Sequence, residues 1–189
     1  MIINDLGNGI MRFDEVIEPA MCRSIINKFD ADTRKVKEAP SVDEERGIGN
    51  YRTSSMLVVN KYPDWNMQKA IITEAIRSTF VEYTKRFSCG QNNAVDRGIE
   101  LVCYDPGQVC ALHCDGGPNQ LRIFCSVIIF LNTVPKGELC FPEQKLQIAP
   151  KEGTVVLFPS NFTHPHNTNP CATKRYVVVN FLAHKEFTP

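Results

Sequence analysis

The chain has 189 residues, 43% of them apolar and 22% charged, the make-up of one globular domain large enough to bury a core. Its 21 Lys and Arg cancel its 21 Asp and Glu, so there is no basic surplus to neutralise a phosphate backbone, which argues against a dedicated nucleic-acid binder. No apolar run approaches the ~18 residues of a membrane span, and residues 1–9 lack the basic n-region and long apolar stretch of a signal peptide, so the expected compartment is the cytoplasm.

Taken in chain order, Glu18-Pro19 predicts a helix start, with Cys22, Ile25, Ile26 and Phe29 on one face before Asp30. Residues 30 to 50 are charged and broken by Pro40, Gly47 and Gly49, the composition of an exposed loop that can act as a lid. Pro63-Asp64 opens a longer helix to about Phe87, whose Trp65, Ile72, Ile76, Phe80, Tyr83 and Phe87 form one apolar stripe suited to packing on a sheet. From residue 97 the period changes. Ile99–Tyr104, Gln108–His113, Arg122–Leu131, Gly137–Phe141, Thr154–Phe158 and Tyr176–Leu182 are short apolar runs parted by turn clusters such as Asp105-Pro106-Gly107 and Pro150-Lys151-Glu152-Gly153. They predict an antiparallel sandwich or barrel. The expected class is α+β in a single domain, with residues 1–96 a helical support and loop and residues 97–184 an all-β core.

Eight cysteines fall well below the density of a disulfide scaffold, and Cys103, Cys125 and Cys140 sit in apolar runs as small buried hydrophobes. Cys110 and Cys114 flank His113 as C-x-x-x-C with no second pair, which argues against a structural zinc site.

The residues that carry chemistry lie in the β half. His113 and Asp115 are two apart, hence on one face of an extended strand, where both can bind one metal. A third ligand is needed, and His166 follows 51 residues after Asp115, with His164 two before it. Two histidines and a carboxylate on one face of a metal suit non-haem Fe(II) and leave positions open. Nine residues beyond His166, Arg175 begins an apolar strand, where a guanidinium can clamp a carboxylate.

Read together, Tyr104-Asp105-Pro106-Gly107-Gln108, His113-Cys114-Asp115, Phe130-Leu131-Asn132, Gly137-Glu138-Leu139-Cys140-Phe141-Pro142, Phe158-Pro159-Ser160, His166, Pro170 and Arg175-Tyr176 resemble the 2-oxoglutarate- and Fe(II)-dependent oxygenases of the prolyl 4-hydroxylase-like group. The likeness spans residues 97 to 184, and Arg52-Thr53-Ser54 fits it more loosely. It implies a double-stranded β-helix (jelly-roll, cupin-like) core with supporting N-terminal helices. It also implies Fe(II) on His113, Asp115 and His166, chosen over His164 by spacing to Pro170 and Arg175. Arg175 would pair with the distal carboxylate of 2-oxoglutarate, and Tyr104 would line the cosubstrate (cofactor) or substrate pocket. O2 enters as second cosubstrate, with ascorbate as reductant. Phe130 stands where relatives often carry a hydroxyl-bearing aromatic, and Lys136 where many carry glycine.

Fe(II) chemistry with 2-oxoglutarate hydroxylates a C–H bond and releases succinate and CO2. Asp115 leaves no place for halide, so hydroxylation is expected rather than halogenation. The first expected substrate is a peptidyl residue such as proline; the alternatives are a free amino acid, nucleobase or other small molecule. A metal-binding module without turnover is disfavoured by Arg175, because an inert site needs no carboxylate clamp. No membrane partner is expected, and the oligomeric state is not encoded in any motif.

Overall fold

The computed structural model describes residues 1–37, 54–87, 94–116 and 122–185. Its elements in chain order are β1 (Ile2–Asp5), β2 (Met11–Asp14), α1 (Pro19–Ala31), β3 (Val36–Lys37) and β4 (Ser55–Val58). Next come α2 (Asn66–Arg86), β5 (Ala94–Tyr104), β6 (Ile123–Phe130), β7 (Leu139–Phe141) and β8 (Leu146–Ile148). The chain closes with β9 (Thr154–Pro159), β10 (Asn167–Thr168) and β11 (Arg175–His184). Eight antiparallel strands form a major sheet in the order β1-β2-β9-β6-β11-β5-β4-β3, and β10-β7-β8 form a minor one.

The near-continuous apolar runs of β5, β6, β9 and β11 have a simple cause: both faces of the major sheet are covered. Cys125, Val127 and Ile129 of β6, Val155 and Leu157 of β9, and Val178 of β11 pack with Ile25 and Phe29 of α1 and Ile72 and Ile76 of α2. The alternate residues, Phe130, Val156, Phe158, Val177 and Val179, pack with Leu139, Phe141 and Ile148 of the minor sheet. This period of two makes a two-sheet sandwich backed by helices, the double-stranded β-helix expected, and it decides which side chains look into the sandwich. Arg175 shares its parity with Val177 and Val179, so it faces inward.

Both helices form where expected. Pro19 sits in the first turn of α1, where a missing N–H costs nothing. A 3-10 turn at Pro63–Trp65 leads into α2, whose Ile72, Ile76 and Tyr83 are buried. Two expectations need correction. The first third is not only helical, because β1 and β2 extend one edge of the major sheet and β4 and β3 the other. Gln108–His113 is not a strand: it is irregular and joins its neighbours through isolated bridges. The expected lid lies, from residue 38 onward, outside the described residues, as do Arg52 and Thr53.

Candidate active site

The irregular segment after β5 is held against the chain around β10 by main-chain pairing. His113 N–H donates to His166 O (3.0 Å) and His166 N–H returns the bond to His113 O (2.8 Å). Thr168 N–H donates to Cys110 O (3.0 Å), while Cys110 N–H donates to the Thr168 hydroxyl (2.8 Å). These bonds bring together residues far apart in sequence. Ligand atoms of His113, Asp115 and His166 all lie within 4.8 Å of one another. His113 Nε2 is 3.2 Å from Asp115 Oδ1, and His166 Nε2 is 3.5 Å from Asp115 Oδ2.

Each imidazole is oriented by a main-chain carbonyl. His113 Nδ1 lies 2.8 Å from Ala111 O and His166 Nδ1 lies 3.1 Å from His164 O. A carbonyl only accepts, so each Nδ1 carries a hydrogen and each Nε2 is turned to the centre of the triad. Asp115 is fixed from behind: the Ser126 hydroxyl donates to Oδ2 (2.5 Å) and pairs with the Ser160 hydroxyl (2.6 Å), both serines being buried. Burial disfavours charge on all three groups. The His113 hydrogen bond, the charges of both histidines and Ser126 nonetheless hold Asp115 below the usual carboxylate range. Burial lowers His166, whereas for His113 it is outweighed by hydrogen bonds to Asp115 and Cys110, so that imidazole is raised. The carboxylate thus stays anionic between two imidazoles that compete for a cation, the condition under which a metal displaces protons. Two imidazole nitrogens and a carboxylate converging from one side fit Fe(II).

His164 is elsewhere. Its Nε2 donates to Asn8 O (2.6 Å) and its Nδ1 faces the Thr163 hydroxyl (2.7 Å), so it ties the N-terminal turn to the β9–β10 loop. Two residues apart share a face only on extended backbone, and the chain through His164 is a turn and irregular loop, so the two imidazoles part.

Arg175 lines the same cavity as the triad, a space of about 170 Å³. It is 1% exposed. Nη1 donates to Gly137 O (2.5 Å), Nη2 donates to the Thr168 hydroxyl (3.0 Å), and the guanidinium carbon stacks 4.3 Å from the Tyr104 ring centroid. Its Nε–H has no acceptor among the described residues, and no carboxylate there forms an ion pair with it. Gly137 permits this close approach: it has φ +78°, and a Cβ on it would stand 3.1 Å from Arg175 Nη1 and 3.0 Å from Cys171 Cβ. Lys174, next in sequence, is turned out to within 4.0 Å of Asp105. Tyr104 lines this cavity beside the triad, its ring a platform under Arg175. Sequence reasoning gave no role to Ser126, Ser160 or Thr168, although Ser160 stands in the Phe158-Pro159-Ser160 motif and Ser126 is an isolated hydroxyl in the apolar run Phe124–Phe130.

Comparison with known proteins agrees with the geometry. Residues 99–183 match the model of the 2OG-Fe(II) oxygenase superfamily. No curated protein matches the chain. Among solved structures, the viral collagen prolyl hydroxylase from Paramecium Bursaria Chlorella virus-1, in its 2OG complex, superposes with a TM-score of 0.67 at 15% identity, covering 94% of this chain and 97% of that one. A Pseudomonas putida prolyl-4-hydroxylase gives 0.69 at 15% identity, over 94% of each chain. The prolyl hydroxylase from Trichoplax adhaerens, in complex with a hypoxia inducible factor oxygen degradation domain peptide fragment, gives 0.74 at 16% identity, over 94% and 84%. Residues 99–183 of this chain are thus a 2OG-Fe(II) oxygenase domain, built on the fold of the prolyl hydroxylases.

Proposed function

We propose that the protein is a 2-oxoglutarate-dependent hydroxylase that holds Fe(II) on His113, Asp115 and His166 and acts on a residue within a polypeptide, with proline the first choice. The observation that carries the proposal is Arg175, buried in the cavity of the triad with an Nε–H that finds no acceptor among the described residues. Glu138 lies within electrostatic reach, but its carboxylate accepts from Asn169 and makes no ion pair with Arg175, and a buried guanidinium without a paired carboxylate favours an anionic ligand. Fe(II) with bound 2-oxoglutarate supplies O2 activation, releasing succinate and CO2 as a C–H bond is hydroxylated.

The protein's own part is positioning and exclusion of water. The Ala111 and His164 carbonyls hold the two imidazoles, and Ser126 holds the carboxylate, so all three donors converge without rearrangement. Arg175 takes the distal carboxylate of the cosubstrate while Tyr104 and Phe130 close the space around it. Further along the inward series of β11 and β6, Val179, Phe181 and Ile128 give an apolar wall suited to an aliphatic ring. The peptide-bound Trichoplax relative, of the same fold, supports a peptidyl substrate.

The test is a turnover assay with Fe(II), 2-oxoglutarate and O2 against proline-containing peptides, free amino acids and nucleosides. The expected result is that peptides accelerate succinate formation above the uncoupled background and gain one oxygen atom, one to one with succinate. Stimulation by a free amino acid or nucleoside but by no peptide would replace the peptidyl substrate with a small molecule.

A further inference from the structure

Glu100 puts a charge on the inward face of β5 that neither the metal site nor the Arg175 end employs. On this strand Ile99, Leu101 and Cys103 pack toward the helices, while Val102 and Tyr104 look into the sandwich together with Glu100, which lines the cavity. The strand is flanked on both sides, Glu100 standing opposite Val58 of β4 and Val179 of β11, so register fixes its place in the cavity wall. Arg175 stands opposite Tyr104, about 13 Å further along β5. Val179 in turn stands opposite Ile128, and the next inward pair, Phe181 and Ser126, reaches Asp115 through the Ser126 hydroxyl. Glu100 thus shares a row with the apolar pair Val179 and Ile128, between the support of Asp115 and the Arg175 end. Exposure changes along the same line. Arg175, Tyr104 and Phe130 are buried, whereas Glu100, Ile128 and Phe181 are half-buried, so the cavity opens at this end.

We propose that Glu100 is a specificity-determining residue that accepts a cationic side chain, Lys or Arg, of the polypeptide substrate and so sets which residue reaches the triad. This rests on the function proposed above and adds a feature of its substrate. Val179, Ile128 and Phe181 contribute burial and dispersion, which take any aliphatic group without telling one from another. A carboxylate among them adds direction and sign. At a half-buried mouth a cationic N–H donor gains more than at open surface, and an acidic side chain is repelled. Glu100 already has an interaction of its own and can keep it, because an ionised carboxylate offers about four lone-pair sites. A prolyl nitrogen within a peptide carries no hydrogen, so the donor that meets Glu100 comes from a side chain.

The test is anaerobic binding of fluorescein-labelled, proline-containing peptides to the protein loaded with Fe(II) and 2-oxoglutarate, read by anisotropy. The peptides differ only beside the proline, in Lys, Arg, norleucine or Glu. The wild type is expected to bind the Lys and Arg peptides about tenfold more tightly than the norleucine peptide, with the Glu peptide weakest, and the gap should shrink as salt rises. Glu100→Gln should erase the gap while metal and 2-oxoglutarate affinities stay at the wild-type level. Glu100→Leu, of similar size and suited to an apolar wall, gives the same comparison if the glutamine variant does not fold. After O2 is admitted, mass spectrometry locates the added oxygen, on the residue beside the cation or on the cationic residue itself, and either position upholds the contact. Equal affinity of the wild type for the Lys and norleucine peptides would overturn the role of Glu100, and so would a preference that survives in the glutamine or leucine variant. Absence of binding by every peptide, with 2-oxoglutarate still bound, is a separate result: it removes the peptidyl substrate of the proposed function, and the contact falls with it.

Discussion

Asp115 is the residue on which the other donors depend, because both imidazole Nε2 atoms lie against its carboxylate. Its own orientation comes from Ser126, whose hydroxyl occupies Oδ2 and leaves Oδ1 the freer oxygen for a metal. Ser126→Ala should therefore lower Fe(II) affinity by roughly 10- to 100-fold without unfolding the chain, the usual effect of removing such a support. In the same titration His166→Ala should lose metal binding and His164→Ala should keep it, since His164 is committed to Asn8. Retention by His166→Ala with loss by His164→Ala would reverse the assignment. The triad and Arg175 were legible in the sequence because each is a rare residue type at a telling spacing. Ser126, Ser160 and Thr168 were not, because a hydroxyl gains meaning only from its neighbour across the sheet: Ser126 and Ser160 meet only through the pairing of β6 with β9.

At the scale of elements, α1 and α2 were readable from a single apolar stripe each, and β5, β6, β9 and β11 from runs buried on both faces. The strands β1, β3, β8 and β10 were not, being two to four residues long with at most one buried residue each, so neither period nor composition marks them. One junction between elements was equally silent. Asp32, at the end of α1, accepts from the buried Trp65 indole N–H (2.9 Å) and from Arg34 Nη2 (2.5 Å), tying α1 to the start of α2. Hydrogen bonding from Arg34 holds the Asp32 carboxyl well below its ordinary range, against the opposing effect of burial and with help from Trp65. A lowered folded-state pKa means that the stabilisation is complete above the unfolded-state value of about 3.9 and fades as pH falls through the folded one. Asp32→Ala leaves the indole N–H unpaired and should cost about 1–3 kcal/mol at neutral pH. In urea titrations the gap between wild type and variant should be constant from pH 6 to 8 and narrow below about pH 4. A gap that stays full into acid would contradict this linkage.

For the whole molecule, the architecture separates support from chemistry. The helices cover one face of the major sheet and donate nothing to the cavity, while the other face and the minor sheet enclose the triad, Tyr104 and Arg175. Tyr176 shows the division in one step along β11: its hydroxyl goes outward to Asp30 of α1 (2.9 Å), while Arg175 goes inward to Gly137 and Thr168. Among the described residues no helix is long and apolar enough to cross a membrane. The central claim is that His113, Asp115 and His166 carry an Fe(II)-dependent reaction of 2-oxoglutarate. Its most direct measurement is succinate formation by the wild type and by Asp115→Ala, both checked for native circular dichroism, with added Fe(II), 2-oxoglutarate and O2. The wild type should form succinate and CO2 in equal amounts only when Fe(II) is present, and Asp115→Ala should form none; succinate from the variant at the wild-type rate, or none from the iron-loaded wild type, would contradict the claim.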